Sequence, residues 1–500
     1  MNEFYTEPGN VPVPFKAGET YKTALERFGT IFPGNCGGKG ICRACEIELV
    51  DRTFDFEGEV SHVQACRTLA VDGDRVSVIP MQISSGSKSL SLSFLPEPCG
   101  RLAVAVDIGT TIVALHLLER ETGLLRGETA FLNPQAFAGA DVMSRLAYAS
   151  NVFNFPSLHR SICQAIADAI AELLKKSEYP PETPLDLLVA GNSAMLGFFL
   201  GIVDPHLGFA PHHSQLAGLG ALKIAPEFIG MTAECDCRAV PVVSGFIGGD
   251  TVAAVMACGL ADAVEPTLLI DFGSNCELVL ASGGRLVATS CAAGPAFEGV
   301  GMSCGMPAVS GAVNRIDSYG IARTIGSFPV RGICGSGYLS LLYHFLKNGM
   351  VRPDGRISNE PAENSLTVVE GEYRRIYLDQ SDVRRLQLAK AAVRTGISML
   401  LKYLQLSEDT PLKIVLTGSF GAQIDANEAT AIGLIPANTI ASVHLVGSAA
   451  SMGTLQALSR KDGIHQLELI ASRIEVINLA EEADFQDNYL NYLTFDEADR

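Results

Sequence analysis

The sequence predicts an α/β protein made of two unequal parts joined by a linker, and three observations carry that prediction. A glycine loop studded with cysteines lies within roughly the first 80 residues. A strand–turn–strand design occurs twice in the larger part, with its key aspartates at positions 107 and 271. Two long segments, Leu158–Lys175 and Leu386–Leu404, place apolar residues at helical spacing. Five hundred residues exceed what a single core usually supports, so several domains are expected. The boundaries are residues 1–82 for the cysteine-rich domain, 83–100 for the linker and 101–500 for a two-lobe domain. Within the last, lobe I covers about 101–245, lobe II about 246–460, and 461–500 form a helical tail. The linker follows from composition, since six serines and two prolines crowd residues 82–100.

In the first part, Val11-Pro-Val-Pro-Phe reads as a strand, Ala17-Gly-Glu-Thr20 as a capped turn, and Tyr21–Phe28 as a short helix stopped by Gly29. Glu46–Val50 and Arg75–Pro80 read as further strands. Between them lies Cys36-Gly-Gly-Lys-Gly-Ile-Cys42-Arg-Ala-Cys45, with Cys66 further on. Structural zinc favours two tight C-x₂-C knuckles, but only Cys42 and Cys45 form one here. A loop around an iron–sulfur cluster needs glycines that present backbone N–H groups to sulfide. Cys36, Cys42, Cys45 and Cys66 are therefore the candidate metal ligands, with zinc or a structural thiol cluster as alternatives. Cys235-Asp-Cys237 is too tight for a complete site and is expected in a loop. Cys258, Cys276, Cys291, Cys304 and Cys334 are expected as small core residues.

In the second part, Ala103–Leu118 holds a buried strand, the turn Asp107-Ile-Gly-Thr-Thr111 and a second strand; Leu268–Ala281 repeats the design around Asp271-Phe-Gly-Ser-Asn275. Each continues through a glycine turn into another apolar segment, as hairpins do. A carboxylate at the strand end can hold Mg²⁺, the glycine lets the backbone approach a phosphate, and the hydroxyls donate to its oxygens. The candidates are Asp107, Gly109, Thr110 and Thr111, then Asp271, Gly273, Ser274 and Asn275. A third strand, Ile414–Thr417, ends in Gly418-Ser419-Phe420-Gly421, a loop suited to the base and ribose of a nucleotide. Asp250 and Glu298 are candidates to orient an attacking water, and a structural role suits them equally.

The cysteine loop resembles that of plant- and adrenodoxin-type ferredoxins, which implies a β-grasp domain with a 2Fe–2S cluster. The three later loops are similar to the phosphate-1, phosphate-2 and adenosine motifs of the acetate-kinase, sugar-kinase, Hsp70 and actin superfamily. That resemblance implies a duplicated, RNase H-like two-lobe ATPase binding ATP and Mg²⁺. Asn133-Pro-Gln, Gly139-Ala-Asp-Val-Met-Ser-Arg145, Gly191-Asn-Ser, Gly294–Gly299, Gly332–Gly337 and Val446-Gly-Ser-Ala-Ala450 resemble segments of the reductive activators of corrinoid proteins. In that family an N-terminal 2Fe–2S domain is joined to such an ATPase. The resemblance implies ATP-dependent one-electron reduction of cob(II)amide to cob(I)amide on a corrinoid protein of a methyltransferase system, fed by an upstream low-potential reductant. The short connection between the two parts departs from longer members by lacking their extra middle domain. Cys276 also stands where members more often have glycine, which can reshape the second loop. An ATP-coupled electron donor to another low-potential oxidoreductase is the alternative, and a small-molecule kinase with a redox-sensing domain a weaker one.

Charge and patterning exclude other classes. The formal net charge of −18 argues against a phosphate-backbone binder, so no nucleic-acid partner is expected. The N-terminus lacks the basic-then-apolar pattern of an export signal, and no apolar run reads as a span. A cytoplasmic protein with reduced or metal-bound thiols and no membrane contact is expected, with a homodimeric state left open.

Overall fold

The computed structural model describes residues 2–7, 11–27, 46–49, 61–77, 101–139, 141–209, 212–231, 235–273, 275–358, 365–370, 375–421, 423–437 and 443–495. Cys36, Cys42, Cys45, Ser274 and the expected linker at 83–100 lie outside them.

The N-terminal domain is a mixed five-stranded sheet holding one short helix. β1 (Asn2–Glu7) and β2 (Val11–Phe15) form a hairpin, and α1 (Tyr21–Arg27) follows. β3 (Glu46–Leu49), β4 (Ser61–Gln64) and β5 (Arg75–Ser77) complete the order β2-β1-β5-β3-β4. The helix presents Tyr21, Ala24 and Leu25 to Phe4, Val13, Ile47 and Val76, all buried. Each large apolar side chain in this set contributes about 1.5–3 kcal/mol when removed from water. This is the β-grasp arrangement that the ferredoxin resemblance implied.

The first large sheet starts with a meander: β6 (Leu102–Ile108), β7 (Ile112–Glu119) and β8 (Leu124–Leu132). α2 (Val142–Ala149) and α3 (Phe155–Lys176) then lead to β9 (Leu185–Gly191) and α4 (Ser193–Phe199). α3 forms because Leu158, Ile162, Ile166, Ala169, Ile170 and Leu173 fall on one face, with Pro156 in its first turn and Lys175 and Lys176 in its last. β10 (Lys223–Ile224) and β11 (Cys235–Ala239) complete the order β10-β11-β9-β6-β7-β8. Cys235 and Cys237 are thus buried on a strand and not in a loop. Their alternation with half-exposed Asp236 and Arg238 is the period-two pattern of an in/out strand.

After α5 (Gly249–Ala257) the meander is repeated as β12 (Thr267–Phe272), β13 (Cys276–Ser282) and β14 (Arg285–Cys291). β15 (Ala312–Ile316), β16 (Ala322–Thr324) and β17 (Gly332–Ile333) make a small side sheet that leads into α6 (Gly335–Lys347). The hairpin β18 (Ser365–Glu370) and β19 (Arg375–Asp379) precedes α7 (Gln380–Tyr403), which starts at a capping box of Asp379 and Asp382. β20 (Lys413–Thr417), α8 (Gly418–Gly421), α9 (Ala426–Ala431), β21 (Val443–Leu445) and α10 (Ala449–Ser459) follow. The chain ends in α11 (Gly463–Arg473), β22 (Ile474–Val476) and α12 (Phe485–Asn491).

The second large sheet has the order β21-β20-β12-β13-β14-β22. Residues 461–495 are therefore more than a tail. β22 pairs in parallel with β14, and buried Phe495 packs under Lys390, midway along α7. The partition into lobes also needs correction, because α5 and α10 belong to both. They share a core with Ala103, Ala105, Leu188 and Ala190 of the first sheet and Leu269, Val279 and Val415 of the second. At their crossing a Cβ on Gly453 would lie 1.8 Å from the Ala253 carbonyl oxygen, so only glycine permits that approach. Among the described residues no helix is long and apolar enough to cross a membrane.

Candidate functional site

Two equivalent hairpin turns, one from each large sheet, face the helix pair α5 and α10. Asp107 and Asp271 are the penultimate residues of β6 and β12. Asp250 stands in the first turn of α5. A Cβ on Gly248 would come within 2.5 Å of the Asn192 Cα, so the loop before α5 presses against the loop after β9. That contact brings Asp250 alongside Asp107, and the Asp107 charge helps raise the Asp250 carboxyl.

Four carboxylates linked by their charges gather here: Asp107 acts on Asp250 and Asp271, and Asp250 and Asp271 act on Glu277. Each lies in the cleft, partly open to water but ringed by protein. Burial is the main cause that pushes Asp250 up to about 7 and Asp271 up to about 7; the Asp107 charge adds to it at Asp250, and the Asp250 and Asp107 charges add to it at Asp271. Burial also raises Asp107, against the hydrogen bonds that Ser448 and Ser451 donate to it at 2.8 and 3.1 Å. Glu277 is raised well above the ordinary range by burial, then by Asp250 and Asp271, although Ser290 donates to it at 3.1 Å. Like charges this close disfavour joint ionisation, and a divalent cation relieves that repulsion. Among the described residues no three of these side chains form a ready-made metal-ligand cluster, so Mg²⁺, which takes oxygen ligands, would be held here only together with water and phosphate oxygens.

Glu277 was not singled out from the sequence. Its place follows from strand register, since β12 and β13 pair Asp271 directly opposite Glu277. Ser448 and Ser451 carry no local signal of their role either, although Ser448 lies in the glycine–serine segment Val446–Ala450. As the N-cap of α10, Ser448 closes a bond across the two halves of the chain to Asp107. Thr417 tethers the same loop from β20 by donating to the Gly447 carbonyl at 2.6 Å. Glu298 sits on a separate 3₁₀ turn, Pro295–Glu298, and is not among the groups that raise the aspartates.

The phosphate-1 turn is Gly109-Thr110-Thr111. Asn192 donates to the Thr110 hydroxyl at 3.2 Å, and the Asn133 amide donates to the Gly109 carbonyl at 2.8 Å. In the second turn the Gly273 N–H donates to the Asn275 carbonyl at 3.0 Å, closing it tightly. The third loop comes next to the second: Gly418 has φ +85°, and a Cβ there would lie 2.4 Å from the Phe272 carbonyl oxygen and 2.8 Å from the Asp271 carboxylate. Of Ser419 the backbone alone is described. Phe420 does not face a nucleotide. Its ring stacks on Phe297 at 4.9 Å and meets Phe272 edge-on at 5.1 Å, buried in the second core. The aromatic trio fixes the loop from beneath, while glycine at 418 and 421 lets its backbone press against Phe272 and Leu416.

In the N-terminal domain Cys66 follows β4 as a half-buried free thiol packed against the small core. The three other candidate ligands lie outside the described residues, so the fit to a cluster rests structurally on Cys66 alone. Cys276 and Cys291 are buried cross-strand partners beneath the second turn, consistent with core roles.

Comparison with known proteins agrees with this layout. Three family profiles match in tandem: a 2Fe–2S iron–sulfur cluster binding domain over residues 4–71, the RACo middle region over 102–263, and the C-terminal domain of RACo, the ASKHA domain, over 265–500. The middle region, expected to be missing, is therefore present and coincides with the first large sheet and α5. Over 413 residues the chain is 29% identical to the corrinoid activation enzyme RamQ of Eubacterium limosum, covering 77% of this chain and 69% of that protein. It is 25% identical over 367 residues to a Methanosarcina barkeri reductase of a Co(II) methylated-amine-specific corrinoid protein, covering 67% of this chain and 65% of that one. A solved reductive activator for a corrinoid iron–sulfur protein shares the fold, with a TM-score of 0.70 and 23% identity over 99% of this chain and 98% of that one. With these three regions in this order, the chain joins a 2Fe–2S domain to the RACo middle region and the RACo C-terminal ASKHA domain, and it is homologous to corrinoid activation enzymes.

Proposed function

We propose that this protein is an ATP-hydrolysing iron–sulfur reductase that returns cob(II)amide on a corrinoid protein to cob(I)amide, passing one electron from its 2Fe–2S cluster. The observation that carries this reading is the joining of a 2Fe–2S domain to a cleft in which Asp107, Asp250, Asp271 and Glu277 converge. Reduction of Co(II) to Co(I) is strongly uphill, so an electron carrier alone does not suffice. A nucleotide site that binds two states differently can bias such a step.

Mg²⁺ bound with ATP would neutralise charge on the reacting phosphate. Asp107, Asp271 and Glu277 would face that cation, in part through water, and the backbone of the Gly109 and Gly273 turns would cradle phosphate. Gly418 and Gly421 let the third loop pack closely against Phe272 and Leu416, and adenosine would lie along that loop. Asp250, with a proton affinity near neutrality, fits the group that takes a proton from the attacking water as the terminal phosphate leaves ADP. The Ser448–Asp107 bond couples the site to α10, which touches both sheets. Hydrolysis can thereby alter how the two halves close. Cys36, Cys42, Cys45 and Cys66 hold the cluster in this reading, and the segment 83–100 tethers it to the ATPase. The corrinoid partner is assigned to a methyltransferase system and the electrons to a low-potential reductant.

The test is ATP hydrolysis by the anaerobic full chain with and without a cob(II)amide-loaded corrinoid protein. Hydrolysis should be slow alone and stimulated by the Co(II) form. Equal rates with and without that partner would remove the coupling.

A further inference from the structure

Arg145 is 1% exposed, the largest of the fully buried side chains. All its hydrogen bonds go to neutral groups. Its Nε donates to the Gly139 carbonyl at 3.0 Å, its Nη2 to the Thr110 carbonyl at 2.7 Å, and its Nη1 to the Met195 Sδ at 3.4 Å. Among the described residues no carboxylate forms an ion pair with it. Asp141, whose charge reaches it from a distance, spends its oxygens on the N–H and hydroxyl of Ser144 as the N-cap of α2. A buried guanidinium without a salt bridge is costly, and burial pulls its proton affinity down to about 10 against the opposing Asp141 charge. A fold needing only to fill this space would use a neutral side chain.

What it holds explains its presence. Asn133, also 1% exposed, binds the Gly109 carbonyl, and Arg145 binds the next carbonyl, that of Thr110. Both come from the segment that follows β8, and both touch Met195. In a trans peptide the N–H of the following residue points opposite to the carbonyl. Drawing two successive carbonyls to one side therefore turns the N–H groups of Thr110 and Thr111 to the other. Among the described residues neither N–H has a protein acceptor. Two adjacent N–H groups so exposed form an anion-binding nest, here with a cation fixed behind it.

We infer that Arg145, with Asn133, is a positioning residue of the nucleotide site: it aims the Thr110 and Thr111 N–H groups at phosphate and places a buried positive charge behind them. The guanidinium on the Thr110 carbonyl polarises the peptide that carries the Thr111 N–H, strengthening it as a donor. The bound polyphosphate supplies the negative charge that the protein withholds. This rests on the ATP-binding reading above.

The experiment measures dissociation constants of AMP, ADP and ATP with Mg²⁺ by calorimetry on the anaerobic full chain, for wild type, Arg145→Gln and Arg145→Lys. A role in holding phosphate makes the loss grow with phosphate number. Arg145→Gln should weaken ATP on the order of 30-fold, within the range set by losing a hydrogen bond that involves a charged group, and AMP far less. Arg145→Lys, which keeps the charge, should recover part of that loss. If the glutamine variant does not fold, the lysine variant decides, with ATP weakened more than AMP. Equal weakening of all three nucleotides, or none, would overturn the inference. Failure of the wild type to bind any nucleotide would instead reject the ATP reading itself.

Discussion

Replacing Asp271 with asparagine should make the nucleotide-free protein more stable at alkaline pH while abolishing hydrolysis. In the folded state the Asp271 carboxyl is raised from 3.8 to about 7, first by burial and then by the charges of Asp250 and Asp107. The folded chain therefore holds this proton across a range in which the unfolded chain has released it. Stability is fully present below pH 3.8, falls as pH rises through about 7, and is flat above that. At ~1.4 kcal/mol per pH unit, the full penalty is ~4 kcal/mol. Water reaches the cleft and Asp250 shares the repulsion, so ~2 kcal/mol is the realistic share. The neutral amide of Asp271→Asn carries no such penalty and also relieves Asp250. Thermal unfolding followed by circular dichroism should show Asp271→Asn melting a few degrees above wild type at pH 8, with the gain vanishing near pH 4. Saturating Mg²⁺ should reverse the order at pH 8, because wild type alone keeps the full oxygen set. A variant less stable at both pH values, or equally stabilised at both, would refute the charge-cluster argument.

Three further outcomes are expected. Gly418→Ala forces a Cβ against the Phe272 carbonyl and the Asp271 carboxylate in a left-handed conformation and should cost at least ~1–2 kcal/mol of stability as well as nucleotide affinity, measured by melting and calorimetry. Alanine at Cys36, Cys42, Cys45 or Cys66 should lower iron content and bleach the visible spectrum of the anaerobic protein, whereas Cys276→Ala should keep about two irons per chain; stoichiometric zinc without iron would contradict this. Deleting residues 1–82 should spare ATP binding and corrinoid-protein binding but abolish cob(I)amide formation, and adding that domain as a separate chain should restore little, because the tether's local concentration is lost.

The features legible in the sequence were local ones. The Asp-x-Gly turns at 107 and 271 announced paired hairpins because period-two apolar runs and turn glycines are encoded within a few residues. α3 and α7 were visible through their apolar faces. What escaped depends on contacts between distant segments. Glu277 acquires its role through antiparallel register with Asp271, and Ser448 meets Asp107 across 341 positions of sequence. The segment holding Arg145 stood out as a pattern, yet nothing local says that its guanidinium lies behind Thr110. Phe420 misled because a glycine loop must anchor itself somewhere, and the anchor was the aromatic ring. Residues 461–495 looked like a tail because β22 has three residues, too few for a pattern, and becomes a strand only beside β14.

The central claim, that ATP turnover in this cleft drives an electron onto cobalt, is tested most directly by the visible spectrum of a cob(II)amide corrinoid protein mixed anaerobically with this chain and a low-potential reductant. With ATP and Mg²⁺ the Co(II) band should decay as the Co(I) band grows, and Asp107→Ala should block the change while retaining its iron–sulfur absorption. Cobalt reduction at the same rate without ATP, or with Asp107→Ala, would contradict the account.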